Sequence, residues 1–121
     1  MRELGDLTER EHRMIAGYVS QVADHVILVW TYMTDYLADE LEKVWYDTNN
    51  IEKFYDANIA GKHIQKILKE DKNEYVIVCK WSQNTIFLEE AVKHFLLNPE
   101  DHKELTRQSD RWLNKKKKYF G

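Results

Sequence analysis

Between Thr8 and Asp47 the chain has no proline and, after Gly17, no glycine. Apolar residues recur there at Ile15, Val19, Val22, Val26, Val29, Met33 and Tyr36, in steps of four and three. That stepping keeps side chains on one face of an α-helix. Trp30, Leu37, Leu41 and Val44 widen the face. The pattern predicts one unbroken helix over 8–47, about 60 Å long. Thr8 and Glu11 stand at capping-box spacing at its start. From Val26 to Met33 nearly every position is apolar, and a helix apolar all round must be covered all round. That stretch is expected to be the central strut of the fold or the seam of a homodimer.

The rest of the chain supports a mainly α architecture. One proline and four glycines are too few for the many tight turns of an all-β protein. Asn50 is placed to cap a second helix from Ile51 to about Glu70, with Ile51, Phe54, Tyr55, Ile59, His63 and Ile67 inward. Residues 75–81 (Tyr-Val-Ile-Val-Cys-Lys-Trp) carry the β-branching of a strand, yet Val78, Trp81, Thr85, Leu88, Val92 and Phe95 also fit helical spacing. A helix is expected from about 85 to 97, with 75–81 open between helix and strand. Asn98-Pro99-Glu100-Asp101 reads as a cap, a first-turn proline and two acids at the positive helix end. The last helix is expected to run to about Lys117. The reading is a single domain over 1–121: a bundle of about four helices on one long N-terminal helix, with a short β-hairpin near 75–90 left open.

Hydrophobic residues are 43% and charged residues 32% of the 121, which suits a folded globule. Cys79 is the only cysteine, so no intrachain disulfide can form, and its apolar neighbours predict a small buried thiol. No signal-peptide core opens the chain, and the longest apolar run, Val26 to Trp30, falls far short of a membrane span. The expectation is a cytoplasmic protein.

Net charge is −3, but it is unevenly spread. Residues 1–60 carry five Lys/Arg against twelve Asp/Glu, a balance of −7, and residues 61–121 carry thirteen against nine, a balance of +4. Such separation can steer a partner.

Two surfaces stand out. On the first helix Asp35, Asp39, Glu42 and Tyr46 fall at steps of four, three and four, beside Trp45. An acidic, aromatic-rimmed face of this kind can dock a basic groove on a protein partner. Small inhibitors encoded by phages and plasmids work this way, an analogy of class without a shared motif. The plain structural alternative is a solvated helix face. At the other end Arg107, Arg111, Trp112, Lys115, Lys116, Lys117 and Lys118 combine positive charge with aromatics. They can track phosphates and stack on a base, or they are lysines suited to the negative end of a fraying helix.

Catalytic patterns are thin. Glu9-Arg10-Glu11-His12 contains one Glu-x-x-His, the unit that di-iron bundles use twice, whereas Glu90 and His94 stand four apart. Acidic pairs recur at Asp39-Glu40, Glu89-Glu90 and Glu100-Asp101. The pairs that could hold Mg²⁺ at helical spacing, Asp71/Glu74 and Asp101/Glu104, sit where acids already cap turns and helices. No Gly-rich phosphate loop occurs, and neither cofactor nor metal is expected. Leu7-Thr8-Glu9-Arg10-Glu11 resembles the opening of the DNA-binding domain of LuxR-type regulators. The resemblance covers five residues and stops at Gly17-Tyr18-Val19, where the second helix and recognition helix should begin; the capping box explains the same five. The sequence therefore points first to a non-enzymatic interaction module (a small helical adaptor, inhibitor or regulator). A nucleic-acid-binding accessory protein using the basic tail comes second, and an enzyme with a carboxylate/His-held metal third.

Overall fold

The structure, a computed structural model, describes residues 5–29, 32–80 and 86–121, with Tyr32 and Met33 described by backbone alone. It is mainly helical, with a small two-stranded parallel sheet. Helix α1 spans Thr8–Val22, strand β1 Val26–Val29, helix α2 Tyr32–Lys43, strand β2 Ile51–Phe54 and helix α3 Ala57–Glu70. A short helix α4 (Glu89–Val92) and α5 (Asp110–Phe120) follow, with 3₁₀ turns at Gly5–Leu7, Thr48–Asn50, Lys93–Phe95 and Pro99–Glu104. Among the described residues no helix is long and apolar enough to cross a membrane.

The expected 8–47 helix is two helices with a strand between them. Helix α1 stops where Ala23 turns extended, its amide still bonding the Val19 carbonyl at 2.9 Å. Val26-Ile27-Leu28-Val29 then pairs in parallel with Ile51-Glu52-Lys53-Phe54 in the register Val26↔Ile51 to Val29↔Phe54. Parallel strands need a crossover, usually a helix, and α2 supplies it. The 4-3 spacing ran through the strand because a short apolar run satisfies both periods. The coverage predicted for the apolar stretch is met inside one chain for Val26 and Leu28. Val26 and Leu28 are buried in a core with Ala16, Leu37, Ala38 and Leu41, flanked by Ile15, Val19, Ala23, Tyr46 and Ile51. Ile27 and Val29 keep intermediate exposure, and Trp30 and Thr31 lie outside the described residues.

Other helix boundaries move for local reasons. The capping box does not form: a 3₁₀ turn leads straight into α1, and Leu7 at the cap position makes no side-chain bond. Asp56, not Asn50, caps α3, its carboxylate accepting from the amides of Asn58 and Ile59 at 2.7 and 3.1 Å. The residues before it are taken by the ladder. The expected helix over 85–97 is regular only from 89, as α4 and the 3₁₀ turn after it, and Thr85 lies outside the described residues. Asn98 caps as expected, accepting from Glu100 N at 3.2 Å. The turn that follows ends at Glu104, so the last helix is the separate α5. No hairpin occurs at 75–90 among the described residues: 74–80 form no ladder, and 81–85 lie outside.

Helix α3 joins the two ends of the chain, packing on both strands and on α4 with the turn after it. Gly61 makes that contact possible, since a Cβ there would stand 2.5 Å from the Ala91 carbonyl oxygen and 2.7 Å from its Cα. Gly61→Ala is therefore expected to destabilise the protein by about 1–3 kcal/mol, the usual range for overpacking, although alanine favours helix by about 1 kcal/mol. Urea titration checks this; an unchanged or raised midpoint would mean that α3 and α4 do not meet so closely.

Candidate functional site

The acidic face of α2 is largely an internal staple. Arg13 of α1 reaches Asp39 at 2.5 Å and Glu40 at 3.2 Å, and also bonds Glu9 at 2.9 Å. Lys43 pairs with Asp39 at 3.0 Å, and Lys53 of β2 with Asp35 at 2.6 Å. Hydrogen bonds from Arg13 and Lys43 hold the Asp39 carboxyl below its ordinary range. Of the expected acidic set, Glu42 alone has no ion pair among the described residues, and it is exposed. Tyr46 does not continue the face. Its hydroxyl turns inward to donate to the Ala23 carbonyl at 2.8 Å. Burial, with Asp24 and Asp47 nearby, raises its phenol above the ordinary value.

What the α2 terminus presents is Trp45. Tyr46 N bonds Leu41 O at 3.0 Å and Trp45 N bonds Glu42 O at 3.1 Å, the paired bonds of a Schellman C-cap. Leu41, with no exposure, and Tyr46 supply the hydrophobic contact that accompanies that motif. Its left-handed position normally belongs to glycine, but here Trp45 holds it at φ 62°. An L-residue with a Cβ costs about 1–2 kcal/mol there. The indole gains no burial in return: it is 94% exposed, beside Val44 at 43%. A large apolar ring held in solvent at a conformational cost is a feature folding does not explain.

The basic tail is docked rather than frayed. Glu89 at the start of α4 is fully buried. Arg107 grips it with two bonds of 2.8 Å, and Lys116 of α5 reaches it at 3.0 Å. Lys116 also meets Glu90 at 2.6 Å, and Lys93 meets Glu90 at 2.9 Å. Phe87, 2% exposed, packs edge-on to Trp112 and Tyr119 above this network. Phe87 and Arg107 are the other two left-handed non-glycine residues among those described, at φ 51° and 59°. Arg107 bonds Glu89, and its guanidinium stands 5.9 Å from the centre of the Phe87 ring. Burial alone would raise the Glu89 carboxyl, but Arg107 and Lys116 hold it below its ordinary value. Two of the candidate nucleic-acid residues, Arg107 and Lys116, are thus spent inside the fold. Trp112 is half-buried, with Lys115 over its ring at 4.9 Å. Arg111, Lys115, Lys117 and Lys118 remain exposed.

The candidate catalytic residues are dispersed. His12 is buried and donates to Thr8 O at 2.7 Å, while His94 bonds Asn58 at 3.0 Å. Among the described residues no three His, Cys, Asp or Glu side chains gather as a metal site. One grouping was missed in the sequence: His25, just before β1, and His63 of α3 both bond Glu52 Oε2 on β2, at 2.7 and 2.8 Å. Burial opposes the charge on Glu52, yet the two imidazoles hold its carboxyl below the ordinary range. These residues are 27 and 11 positions apart from Glu52, so only the strand pairing and α3 unite them. The cluster ties β1 and α3 to β2. No protein family, no curated protein and no solved structure matches the chain. Its class is therefore defined by its own architecture, a helical protein built on a small parallel strand–helix–strand unit.

Proposed function

We propose that this protein is a non-enzymatic interaction module that binds a protein partner through the Trp45 corner of α2. In this reading Trp45 is the anchor, Val44 extends the apolar contact, and Glu42 and Asp47 form an acidic rim that favours a basic partner surface. Interface hot spots are enriched in tryptophan, rimmed by polar contacts that exclude water. The carrying observation is the fully presented indole in a backbone position that disfavours it. Asp35 and Asp39 serve this surface by anchoring α2 to β2 and α1, and Tyr46 by closing the cap. The protein works in a reducing cytoplasm, as a homodimer, an adaptor or inhibitor for its partner.

Capture from a lysate of the encoding organism, with and without nuclease, tests this reading. Wild-type protein is expected to retain one dominant partner after nuclease treatment, and Trp45→Ala to lose it. Retention that vanishes with nuclease and with Arg111, Lys115, Lys117 and Lys118 changed to alanine would instead identify the exposed basic residues of α5 as a nucleic-acid surface, whose affinity must fall steeply with salt.

A further inference from the structure

Past α3 the chain turns at Asp71, whose carboxylate accepts from Asn73 N at 3.0 Å and from the Tyr75 hydroxyl. Residues 74–80 then run without helix, turn or ladder. Exposure alternates along them: Val76 and Val78 are 94% and 84% exposed, while Tyr75 and Ile77 are 44% and 39% exposed and Cys79 is partly buried. A period of two is the mark of an extended chain lying with one face on the molecule. Burial raises the Cys79 thiol, in keeping with its place on that inner face. The segment is β-branched, apolar and without a strand partner among the described residues, a template for another strand.

We propose that residues 74–80 pair antiparallel with the same segment of a second copy, about a two-fold axis at Ile77. The charges select this register. Centred on Ile77, Glu74 faces Lys80 of the second copy at both ends, Val76 faces Val78, and Tyr75 faces Cys79. Centring on Val76 instead sets Lys72 against Lys80, two like charges at each end. Opposite charges directly across strands stabilise a pair and like charges destabilise it, and a two-fold contact repeats each effect. The pairing closes the open backbone edge and sets Val76 of each copy beside Val78 of the other. A contact this small gives a weak dimer. The inference rests on the homodimer reading and is independent of Trp45, which stays outside the seam.

Full-length protein at about 100 µM, a concentration suited to a weak interface, tests both levels. Sedimentation of the wild type is expected to show a reversible dimer; a clean 14.6 kDa monomer overturns the homodimer reading and the seam with it. In a Cys79→Ser background, Ile77→Cys is expected to give mostly disulfide-linked dimer under mild oxidation, because facing residues lie about 4.5–5.5 Å apart. Val76→Cys, facing residue 78 rather than itself, should link at least tenfold more slowly, since disulfides fail beyond about 7 Å between Cα atoms. Lys80→Glu should weaken self-association at least tenfold, and Glu74→Lys with Lys80→Glu should restore it to within about threefold. A dimer in which positions 76 and 77 link equally, or which the charge swap does not restore, overturns this seam while leaving the dimer standing. Both charged positions are exposed, so these variants leave the core untouched.

Discussion

Replacing Glu89 by alanine is expected to lower the stability of the protein by about 3–5 kcal/mol, the range seen when one member of a buried ion pair is removed. The reason lies in what stays behind. Arg107 and Lys116 keep only 10% and 5% side-chain exposure, so neither can reach water without opening the α4–α5 contact. Glu90 can answer Lys116, to which it already bonds at 2.6 Å, but Arg107 would lose both of its 2.8 Å bonds to Glu89. In a chain of this size the loss corresponds to a fall in melting temperature of about 10–20 °C. Urea unfolding of Glu89→Ala checks it, and a change below about 1 kcal/mol would show that the cluster is open to solvent. Replacing the whole set (Glu89→Leu with Arg107→Met and Lys116→Met) should recover most of the loss, because apolar packing can substitute for a complete buried network. The same group gives a pH signature. A carboxyl held below its ordinary 4.5 contributes stability that is present above that pH and is lost as pH falls through the depressed folded value. Glu89→Gln should accordingly flatten the acid limb of the stability profile below about pH 4.5.

Trp45→Gly is expected to move stability and binding in opposite directions. Glycine carries no penalty at φ 62°, so the variant should gain about 1 kcal/mol and melt about 4 °C higher. If Trp45 anchors the partner, the same change should weaken binding by at least about 30-fold, the scale of a hot-spot tryptophan. Trp45→Ala separates the two effects. It keeps a Cβ in the left-handed position, so stability should stay within about 0.5 kcal/mol of wild type, while binding falls as it does for glycine. Thermal denaturation together with titration against the captured partner reads both quantities. A glycine variant that is more stable and binds as tightly as wild type would remove Trp45 from the function.

Parts of this could be read along the chain. The mainly helical class followed from the scarcity of Gly and Pro and from three-four spacing, both local properties. Asn98 as a cap was legible because a cap contacts an amide two residues on. Trp45 was legible as a surface aromatic beside acids, but its left-handed backbone was not. The sequence shows a tryptophan where a helix end would lead one to look for glycine, and so it reads as a helix that continues.

The remainder depends on partners distant in sequence. Val26–Val29 satisfies helical and strand spacing equally, and only the ladder to Ile51–Phe54 decides for strand, because an isolated strand leaves its backbone polar groups unpaired. The glutamate pair 89–90 and the lysine run 115–118 each read as solvated charge. Their fate is set by Phe87, Trp112 and Tyr119 closing over a site that joins residues 18 and 26 positions apart. Composition and periodicity determine which residues want cover and which backbone geometry is cheap. Which charge is buried, which strand finds a partner and which aromatic is left outside are settled by packing, where desolvation and hydrogen-bond satisfaction act among residues that the sequence holds far apart.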